Sequence, residues 1–463
     1  MEFDLLVKNG LLVFPECGPG SGPEHGTVKA ALGIKDGKIA AIVENPSHLR
    51  AKEVIDAAGL HVLPGIVQPH AHLGRAGDME DFATETFSAA IGGVTTVIVF
   101  HRSREDYGKE FGEMIAAAGR LSHIDFSYHL QIMSDEQAAG LPRYLQEFGV
   151  SSFKFNMGYK GEEAKTKNIA ELNDGIMYAA FYRLAGMKGT VACVHAENSE
   201  IIAYYADKFR KAGRDDLKVW SESRPVLAEA EAINRSLYLS EQAGCPLYVA
   251  HMTTAEGLRL IREQRKKGGA PVFIETCPQY LTHDMNSTLG RIAKFIPPLR
   301  TTADTEALWQ GLISGEIDTI GIDQNTRKVE PEGVSIWKRK TTPREAVTAL
   351  PVLITEGLHK RGLTLERIAT LTSYNPARIF NLYPRKGALR VGSDADLVIV
   401  DINREKRVTK DMIKSASDFS LYEGTLLRGW PVTTVCRGRV IMRDGETVGE
   451  RGWGEYLERR PEV

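Results

Sequence analysis

Eight short β-rich runs, separated by stretches of helical character, are the feature that most limits how this chain of 463 residues can fold. Strand-like runs that alternate with helices are typical of consecutive βα units. Eight such units between residues 62 and 384 predict an α/β protein with a (β/α)8 TIM-like barrel. A doubly wound open sheet stays the alternative, because periodicity does not show whether a sheet closes. The runs span residues 62–68, 95–100, 125–131, 151–155, 190–194, 246–250, 272–276 and 319–322.

Helical stretches are predicted between these runs, for example over residues 108–120, 228–243 and 255–267. Thr253 and Glu256 are spaced as in a Ser/Thr-x-x-Glu capping box, which predicts a helix start directly after the sixth strand.

The two ends of the chain differ from the middle, because both are predicted to contain short strands and turns without intervening helices. Residues 1–61 contain a hairpin signal at Asp36-Gly37, and residues 385–463 contain another turn signal at Asp444-Gly445. Neither end offers enough strands for a separate sandwich. We therefore predict one small β-sandwich domain that is built from residues 1–61 and 385–463 and flanks a barrel domain of residues 62–384.

Composition excludes several classes of protein. Lys and Arg number 58 against 60 Asp and Glu, and hydrophobic residues make up 43%, which argues against disorder and against a nucleic-acid-binding surface. Five cysteines without a C-x-x-C pair indicate neither a disulfide framework nor a thiolate zinc site. The acidic N-terminal residues do not resemble a signal peptide, and the longest apolar run, residues 94–100, is too short to span a bilayer. These features favour a cytoplasmic protein that acts on a small molecule, without membrane or nucleic-acid partners.

Five potential metal ligands stand at the carboxyl ends of predicted strands, where barrel active sites lie. A single histidine after an apolar strand is usually a packed or capping residue. Four imidazoles and one carboxylate on the same rim, however, suit zinc or a similar divalent ion. The five are His70 and His72 after the first strand, His195 after the fifth, His251 after the sixth and Asp323 after the eighth.

Lys154 is an unusual residue for its position, because it lies between two phenylalanines on the fourth predicted strand. In an isolated case its ammonium would reach out to solvent. Alternatively, burial lowers the pKa of the amine, so that the neutral form captures carbon dioxide as a carbamate. The carbamate would supply a negative charge and two oxygens that could bridge two metal ions.

In order and strand placement, these residues resemble the binuclear amidohydrolases. The closer resemblance is to the dihydropyrimidinase/hydantoinase branch of cyclic amidohydrolases. Residues 153–159 are similar to its carboxylated-lysine motif, which ends in a tyrosine five residues after the lysine, here Tyr159. Similar segments extend over nearly the whole chain, at residues 56–59, 275–281, 297–300, 373–377 and 384–396.

The resemblance implies a role for each matching residue. His70, His72 and Asp323 would hold one divalent metal ion, and His195 and His251 the other. Lys154 would bridge them as N6-carboxylysine, formed with carbon dioxide. The ions would be zinc, or else manganese or cobalt. Asp323 would carry a proton from the attacking hydroxide to the leaving nitrogen, Tyr159 would hydrogen-bond the developing oxyanion, and the protein would be a homotetramer or dimer.

The function implied is hydrolysis of an amide C–N bond, with ring opening of a cyclic ureide or imide of the hydantoin or dihydropyrimidine type. An alternative keeps the metal chemistry but uses a linear carbamate, urea or lactam. A third hypothesis is a non-catalytic scaffold related to dihydropyrimidinase, although such proteins typically lose metal ligands.

Some positions depart from the family pattern. Gln68 replaces the usual Asp two residues before the first histidine, and Asp323 is followed by Gln324-Asn325 where relatives have a histidine. Residues 338–344 replace the loop that contacts the ureide ring in relatives. These changes bear on the substrate more than on the metal chemistry.

Two further residues are candidate substrate contacts. Ile296 makes one pocket wall more apolar than in hydantoinases. Arg75 is similar, with shifted spacing, to the arginine with which dihydroorotases bind a substrate carboxylate. The alternative for Arg75 is a solvated loop charge.

Overall fold

The strands form two sheets in the computed structural model, which describes residues 2–15, 26–74, 79–166, 169–331 and 333–461. One sheet is parallel and lies in the middle of the chain, and the other is mixed and takes strands from both ends. The strands are β1 Glu2–Phe14, β2 Gly26–Lys35, β3 Lys38–Val43, β4 Arg50–Asp56, β5 His61–Pro64, β6 Ile66–His72, β7 Val94–His101, β8 Asp125–Gln131, β9 Ser152–Asn156, β10 Val191–His195, β11 Leu247–Val249, β12 Val272–Thr276, β13 Thr319–Ile320, β14 Gln324–Asn325, β15 Leu397–Arg407, β16 Leu426–Cys436, β17 Arg439–Arg443 and β18 Glu446–Thr447.

The parallel sheet closes into a barrel through its last strand. Strands β6 to β12 pair in sequence order, β13 pairs with β12, and β14 pairs with β6 through Gln324 opposite Ala71. β13 and β14 are thus the two halves of an eighth strand, interrupted at residues 321–323. Because the first and last strands are hydrogen-bonded, the sheet is a (β/α)8 barrel and the open doubly wound alternative is wrong.

The helices surround this barrel. Two π-helical segments, Leu353–Leu358 and Thr370–Tyr374, continue α13 and α15, and 3₁₀ turns occur at Tyr107–Lys109 and Gly290–Ala293. The α-helices are α1 Glu80–Ile91, α2 Phe111–Leu121, α3 Asp135–Ala139, α4 Leu141–Phe148, α5 Gly161–Thr166, α6 Asp174–Ala185, α7 Ser199–Lys211, α8 Leu217–Ser223, α9 Val226–Ala243, α10 Ala255–Lys267, α11 Pro278–Thr282, α12 Thr302–Ser314, α13 Ala349–Val352, α14 His359–Arg361, α15 Leu365–Ala369, α16 Asn375–Ile379 and α17 Lys410–Ile413. Among the described helices, none combines the length and the apolar character that a membrane span requires.

The helix after the sixth barrel strand begins one residue later than the capping box predicted. Thr254 is the N-cap of α10, and its side chain accepts a hydrogen bond from the Gly257 N–H. Thr253 instead bonds to the Glu229 carboxylate. The capping-box interpretation is therefore wrong, although α10 itself is confirmed.

The mixed sheet brings the two ends of the chain together as a small β-sandwich domain. Its order is β18-β17-β16-β15-β5-β1-β2-β3, with β4 added beside β1. Alternate residues of β15 face opposite ways: Leu397 and Ile399 pack in the core of this domain, and Val398 and Val400 pack against the barrel.

Residues 61–64 belong to the mixed sheet and not to the barrel, because β5 pairs with both β1 and β15. The first barrel strand accordingly begins at Ile66, where residue 62 had been expected. The domain limits at 61/62 and 384/385 stay a prediction.

A buried ionic cluster joins the two domains at the amino-terminal end of strand β8. The Lys386 ammonium lies 2.6 Å from Asp125, 2.8 Å from Asp396 and 3.1 Å from Asp394, and all four side chains are buried. Arg437 adds a second cation at 3.1 Å from Asp125. We call these five residues the junction cluster.

The last described residues run beneath the barrel. Tyr456 bridges to Phe126, and the fully buried Arg459 donates hydrogen bonds to Ser127 at 2.8 Å and Ser152 at 2.7 Å. This segment closes the end of the barrel opposite to the strand ends that bear the histidines.

Candidate metal centre

Three of the predicted ligands converge at the carboxyl ends of the first and eighth barrel strands. His70 and His72 end β6, and Asp323 lies between β13 and β14. Asp323 Oδ1 is 2.9 Å from His72 Nε2 and 3.4 Å from His70 Nε2. One ligand atom from each residue lies within 4.8 Å of the other two, a spacing that fits one metal ion.

The other two histidines form a second pair at the ends of the fifth and sixth strands. His195 Nδ1 lies 3.0 Å from His251 Nε2, and the His251 ring is 5.2 Å from that of His70, measured between centroids. Burial lowers the pKa of both imidazoles, His251 more strongly. The two rings are therefore neutral at physiological pH, which is the form that binds a metal.

Lys154 lies between these pairs and is buried, with a relative exposure of 3%. Its Nζ is 4.5 Å from the centre of the Phe100 ring, and Phe100 also contacts His70. Within the described residues this amine has no hydrogen-bond partner, and burial lowers its pKa. Lys154 is therefore buried and does not reach solvent, as an isolated lysine at this position would.

Two carboxylates that the sequence analysis did not single out orient the histidines. Because a carboxylate only accepts hydrogen bonds, His70 donates from Nδ1 to Glu275 at 2.7 Å, and His195 donates from Nε2 to Glu197 at 2.8 Å. Each imidazole then directs its other nitrogen, with a lone pair, into the site.

Both carboxylates carried a sequence signal of the kind used for the histidines. Glu275 interrupts an apolar strand close to its end, and Glu197 follows His195 at the i+2 position. Burial alone would raise the pKa of Glu197, but the Arg224 guanidinium at 2.9 Å and the His195 bond lower it to about 2. Glu197 therefore stays ionised as the partner of His195.

Arg344 contacts the predicted proton carrier directly. Its Nη1 lies 3.1 Å from Asp323 Oδ2, so one carboxylate oxygen faces a guanidinium and the other faces the histidines. Burial would raise the pKa of Asp323, but Arg344 and the two histidines hold it well below its usual range. Arg344 is the last residue of the altered loop, residues 338–344, and the sequence alone predicts no role for it.

The backbone is turned sharply at two of the ligands. His251 has φ +38° and Asp323 has φ +55°, a left-handed region that is uncommon for residues other than glycine. The His251 N–H donates to Glu275 at 2.8 Å, which stabilises the turned conformation. Such outliers concentrate at functional sites.

Small residues leave room for the polar side chains. A Cβ on Gly158 would lie 2.8 Å from His195 Nε2, and a Cβ on Gly321 would overlap the Glu275 carboxylate. Gln68 supports the histidine strand from its backbone, since its side chain accepts from the His70 N–H at 2.8 Å and donates to the His70 carbonyl at 2.6 Å.

The remaining predicted site residues lie around this centre. The Tyr159 ring stacks on His195 with centroids 5.7 Å apart, and Ile296 packs in the same small apolar cluster as Tyr159 and Trp220. Arg75 lies outside the described residues.

A cleft of about 1890 Å³ opens above the centre. Phe100, Gly158 and Ile296 are among the described residues that line it, and Phe100 contacts His70 while Gly158 lies against His195. Arg327 lines both this cleft and a smaller cavity that borders His72. A small molecule in the cleft would therefore lie next to residues that contact the ligand histidines.

The donor set fits divalent metal ions. His70 Nε2 and Lys154 Nζ are buried nitrogens without a hydrogen-bond partner among the described residues, which is costly unless a ligand binds them. Asp125, Asp396 and Cys436 also bring ligand atoms together, but the Lys386 ammonium already neutralises that group. The barrel and its histidine rim together define a metal-dependent hydrolase.

Comparison with known proteins identifies the family. The model of the amidohydrolase family matches residues 61–441, and the chain belongs to that family, whose members hold a binuclear metal centre.

Curated relatives and solved structures match nearly the whole chain. The L-hydantoinase of Paenarthrobacter aurescens is 34% identical over 99% of this chain and 98% of its own length. The D-hydantoinase of Geobacillus stearothermophilus is 34% identical over 98% of this chain and 96% of its own length. A crystal structure of a D-hydantoinase superposes with a TM-score of 0.89 at 35% identity and covers 98% of each chain. The resemblance to the hydantoinase branch is thus confirmed.

Proposed function

We propose that this protein is a binuclear metal-dependent hydrolase that opens the ring of a cyclic ureide or imide of the hydantoin or dihydropyrimidine type. The observation that carries the proposal is the convergence of two histidine pairs on one buried, unpartnered lysine amine beneath a large cleft. The match to hydantoinases over almost the full length supports the choice of a cyclic substrate.

In this proposal His70, His72 and Asp323 hold one ion, and His195 and His251 hold the other. Imidazole and carboxylate ligands suit zinc, with manganese or cobalt as further candidates. When bound, the two ions would polarise the carbonyl to be attacked and make water a stronger nucleophile at neutral pH.

Lys154 would bridge the ions as N6-carboxylysine. The lone pair of its neutral amine attacks the carbon of carbon dioxide, an N–C bond forms as one C–O π bond breaks and leaves its electron pair on oxygen, and the nitrogen loses a proton to water. The lowered pKa of Lys154 favours the neutral amine that this step needs. The carbamate anion then supplies the negative charge that the buried site lacks between its histidine pairs.

Asp323 and Tyr159 would move and hold charge during the reaction. Arg344 keeps Asp323 ionised at neutral pH, so that its carboxylate can take up the proton that water releases and pass it to the leaving nitrogen. Tyr159, stacked on His195, would donate a hydrogen bond to the oxygen that becomes negative.

A substrate panel tests the proposal. The enzyme, loaded with zinc or manganese, is assayed on hydantoin, dihydrouracil, allantoin and an aryl carbamate, and metal content is measured by mass spectrometry. We expect turnover of at least one cyclic substrate. Turnover of the linear carbamate alone would replace the proposal by the linear-substrate alternative, and a metal-free protein with unmodified Lys154 would favour the scaffold hypothesis.

We further propose that the enzyme acts in the cytoplasm as a homotetramer or dimer. The four described cysteines, Cys193, Cys245, Cys277 and Cys436, are all unpaired, which suits a reducing compartment. Tyr182, Tyr204 and Tyr238 are more than 60% exposed on α6, α7 and α9, as expected of residues that a second copy covers. Light scattering of the purified protein would measure the oligomeric state.

A further inference from the structure

Two arginines face the cleft without a carboxylate partner. Arg102 follows strand β7 and Arg327 follows strand β14, and both are half-buried. Neither forms a salt bridge within the part of the chain that the structure describes, and the only side-chain bond of the Arg327 guanidinium there is to the Thr341 hydroxyl at 3.1 Å. Both side chains line the cleft and are accessible to a bound molecule.

The two guanidiniums lie close to the predicted reaction centre. Burial lowers the pKa of both, and the phenol of Tyr159 acts on both in the opposite direction, which places each of them near that ring. After burial, the Arg344 guanidinium and, less strongly, that of Arg102 also lower the pKa of Arg327, so cations repel one another here. Two cations held together in a partly desolvated place are unfavourable unless an anion joins them.

A carboxylate near Arg327 is already paired with other side chains. Asp323 is the carboxylate that acts on Arg327, but it is bonded to Arg344 and faces His70 and His72. Across the described lining of the cleft, lysines and arginines outnumber the four glutamates, Glu105, Glu110, Glu113 and Glu200. The described lining of the cleft therefore carries an excess of positive charge.

Another part of the cleft lining is apolar. Ile296 and Trp220 line the cleft and pack in the apolar cluster that contains Tyr159. A ligand that fits both parts of the lining has an apolar or ring portion and a short acidic arm. Planar guanidiniums match a carboxylate best, because each can donate two parallel hydrogen bonds to its two oxygens.

We propose that the ring hydrolysed by this enzyme carries a carboxylate on a short arm, and that Arg102 and Arg327 bind this carboxylate and thereby determine substrate specificity. The inference rests on the proposed function and adds the substrate class to it.

The test compares an acid with its neutral isostere. The metal-loaded, full-length enzyme is assayed on hydantoin-5-acetic acid and on hydantoin-5-acetamide, which differ only in the charged group. We expect kcat/KM to favour the acid. Arg102→Met and Arg327→Met should each reduce this acid-to-amide preference by roughly 10- to 100-fold, the range for losing a hydrogen bond to a charged group. The loss should appear mainly in KM, because the arginines bind and do not react.

Control variants separate binding from folding and from general charge. Arg104→Met removes an exposed arginine of the same cleft and should leave the preference as it is. Arg102→Lys keeps the positive charge and should retain part of the preference, which a merely structural defect would not allow. Thermal unfolding of each variant verifies that it is folded.

The outcomes distinguish the two proposals. Hydrolysis of neutral rings without preference for the acid, or a preference that survives both methionine variants, would overturn this inference and leave the proposed function intact. Failure to hydrolyse any cyclic ureide would overturn the proposed function, and this inference with it.

Discussion

Lys154 and Lys386 are both buried lysines of the same molecule, but their surroundings are opposite. Lys386 lies within 3.1 Å of three carboxylates, and although burial lowers its pKa, Asp396 and Asp125 raise it well above the usual value. Lys154 has no hydrogen-bond partner in the described part of the chain, and its pKa is lowered.

The comparison shows how buried charged groups that hold the fold together differ from those that form a functional site. In the junction cluster the charges pair with one another, and Lys386 and Arg437 both bind Asp125 across the contact between the two domains. At the candidate metal centre, by contrast, nitrogens of His70 and Lys154 have no hydrogen-bond partner among the described residues. Such groups destabilise the fold unless a ligand binds them, and they are typical of functional sites. The junction cluster thus lies at the amino-terminal ends of the barrel strands and the candidate metal centre at their carboxyl ends, which is the usual arrangement in this fold.

Lys154→Met should have the largest effect on activity. Without the amine no carbamate forms, so we expect loss of bound metal and a fall in kcat of about 10⁴-fold, equal to about 5 kcal/mol of activation free energy. Metal analysis and ring-opening assays measure both, and short carboxylic acids should restore part of the activity. Lys160→Met, at an exposed lysine of the cleft that pairs with Glu200, is the matched control. Full metal content in Lys154→Met would contradict the bridging role.

Lys386→Met makes the same substitution in the junction cluster and should act on stability instead. Removing one partner of a buried ion pair leaves uncompensated carboxylates, so we expect the free energy of unfolding to fall by about 3–5 kcal/mol. Urea denaturation measures this. Lys38 also pairs with Asp394, at 2.9 Å, but is about half exposed, and Lys38→Met should cost less than about 1 kcal/mol. Equal losses of unfolding free energy in Lys386→Met and Lys38→Met would contradict a special role of the buried lysine.

Glu275→Gln should weaken metal binding while the histidines remain. The carboxylate orients His70 and the His251 backbone, and replacing such a partner lowers metal affinity by roughly 10- to 100-fold. Competition with a chelator measures the affinity. Glu345→Gln, at a buried glutamate bonded to Ser420, is the control and should leave metal affinity unchanged.

Asp394→Asn tests the junction cluster through pH. Burial raises the pKa of Asp394, but Lys386, Lys38 and Arg385 lower it to about 2. A lowered pKa contributes stability above the ordinary value near 3.8, and this contribution is lost as the pH falls through about 2. The variant should therefore be less stable than the wild type by about 2 kcal/mol near pH 5, with a smaller difference near pH 3. A difference that does not change with pH would speak against this assignment.

The strand ends could be predicted from the sequence because each carries a local signal. A short apolar run followed by His195, His251 or Asp323 is recognisable without its neighbours, and parallel strands in a barrel bring such ends to one rim. The resemblance of residues 153–159 to the carboxylated-lysine motif is also a local signal, and it predicts the bridging role of Lys154.

The rest depended on contacts between distant segments. Arg344 reaches Asp323 from a loop, and the junction cluster joins Asp125 to residues more than 250 positions away. A single charged residue in a loop or strand gives no sign of such a partner. The first barrel strand was misplaced for a related reason, since only pairing with β1 and β15 assigns residues 61–64 to the other sheet.

The path of residues 454–460 beneath the barrel has a consequence for biosynthesis. Arg459 fills the base of the barrel with hydrogen bonds to strands β8 and β9, yet it follows all eight barrel strands in the chain. Translation runs from the amino terminus, so all eight barrel strands are synthesised before Arg459. The hydrogen bonds of Arg459 to β8 and β9 can therefore form only after all the barrel strands have been synthesised.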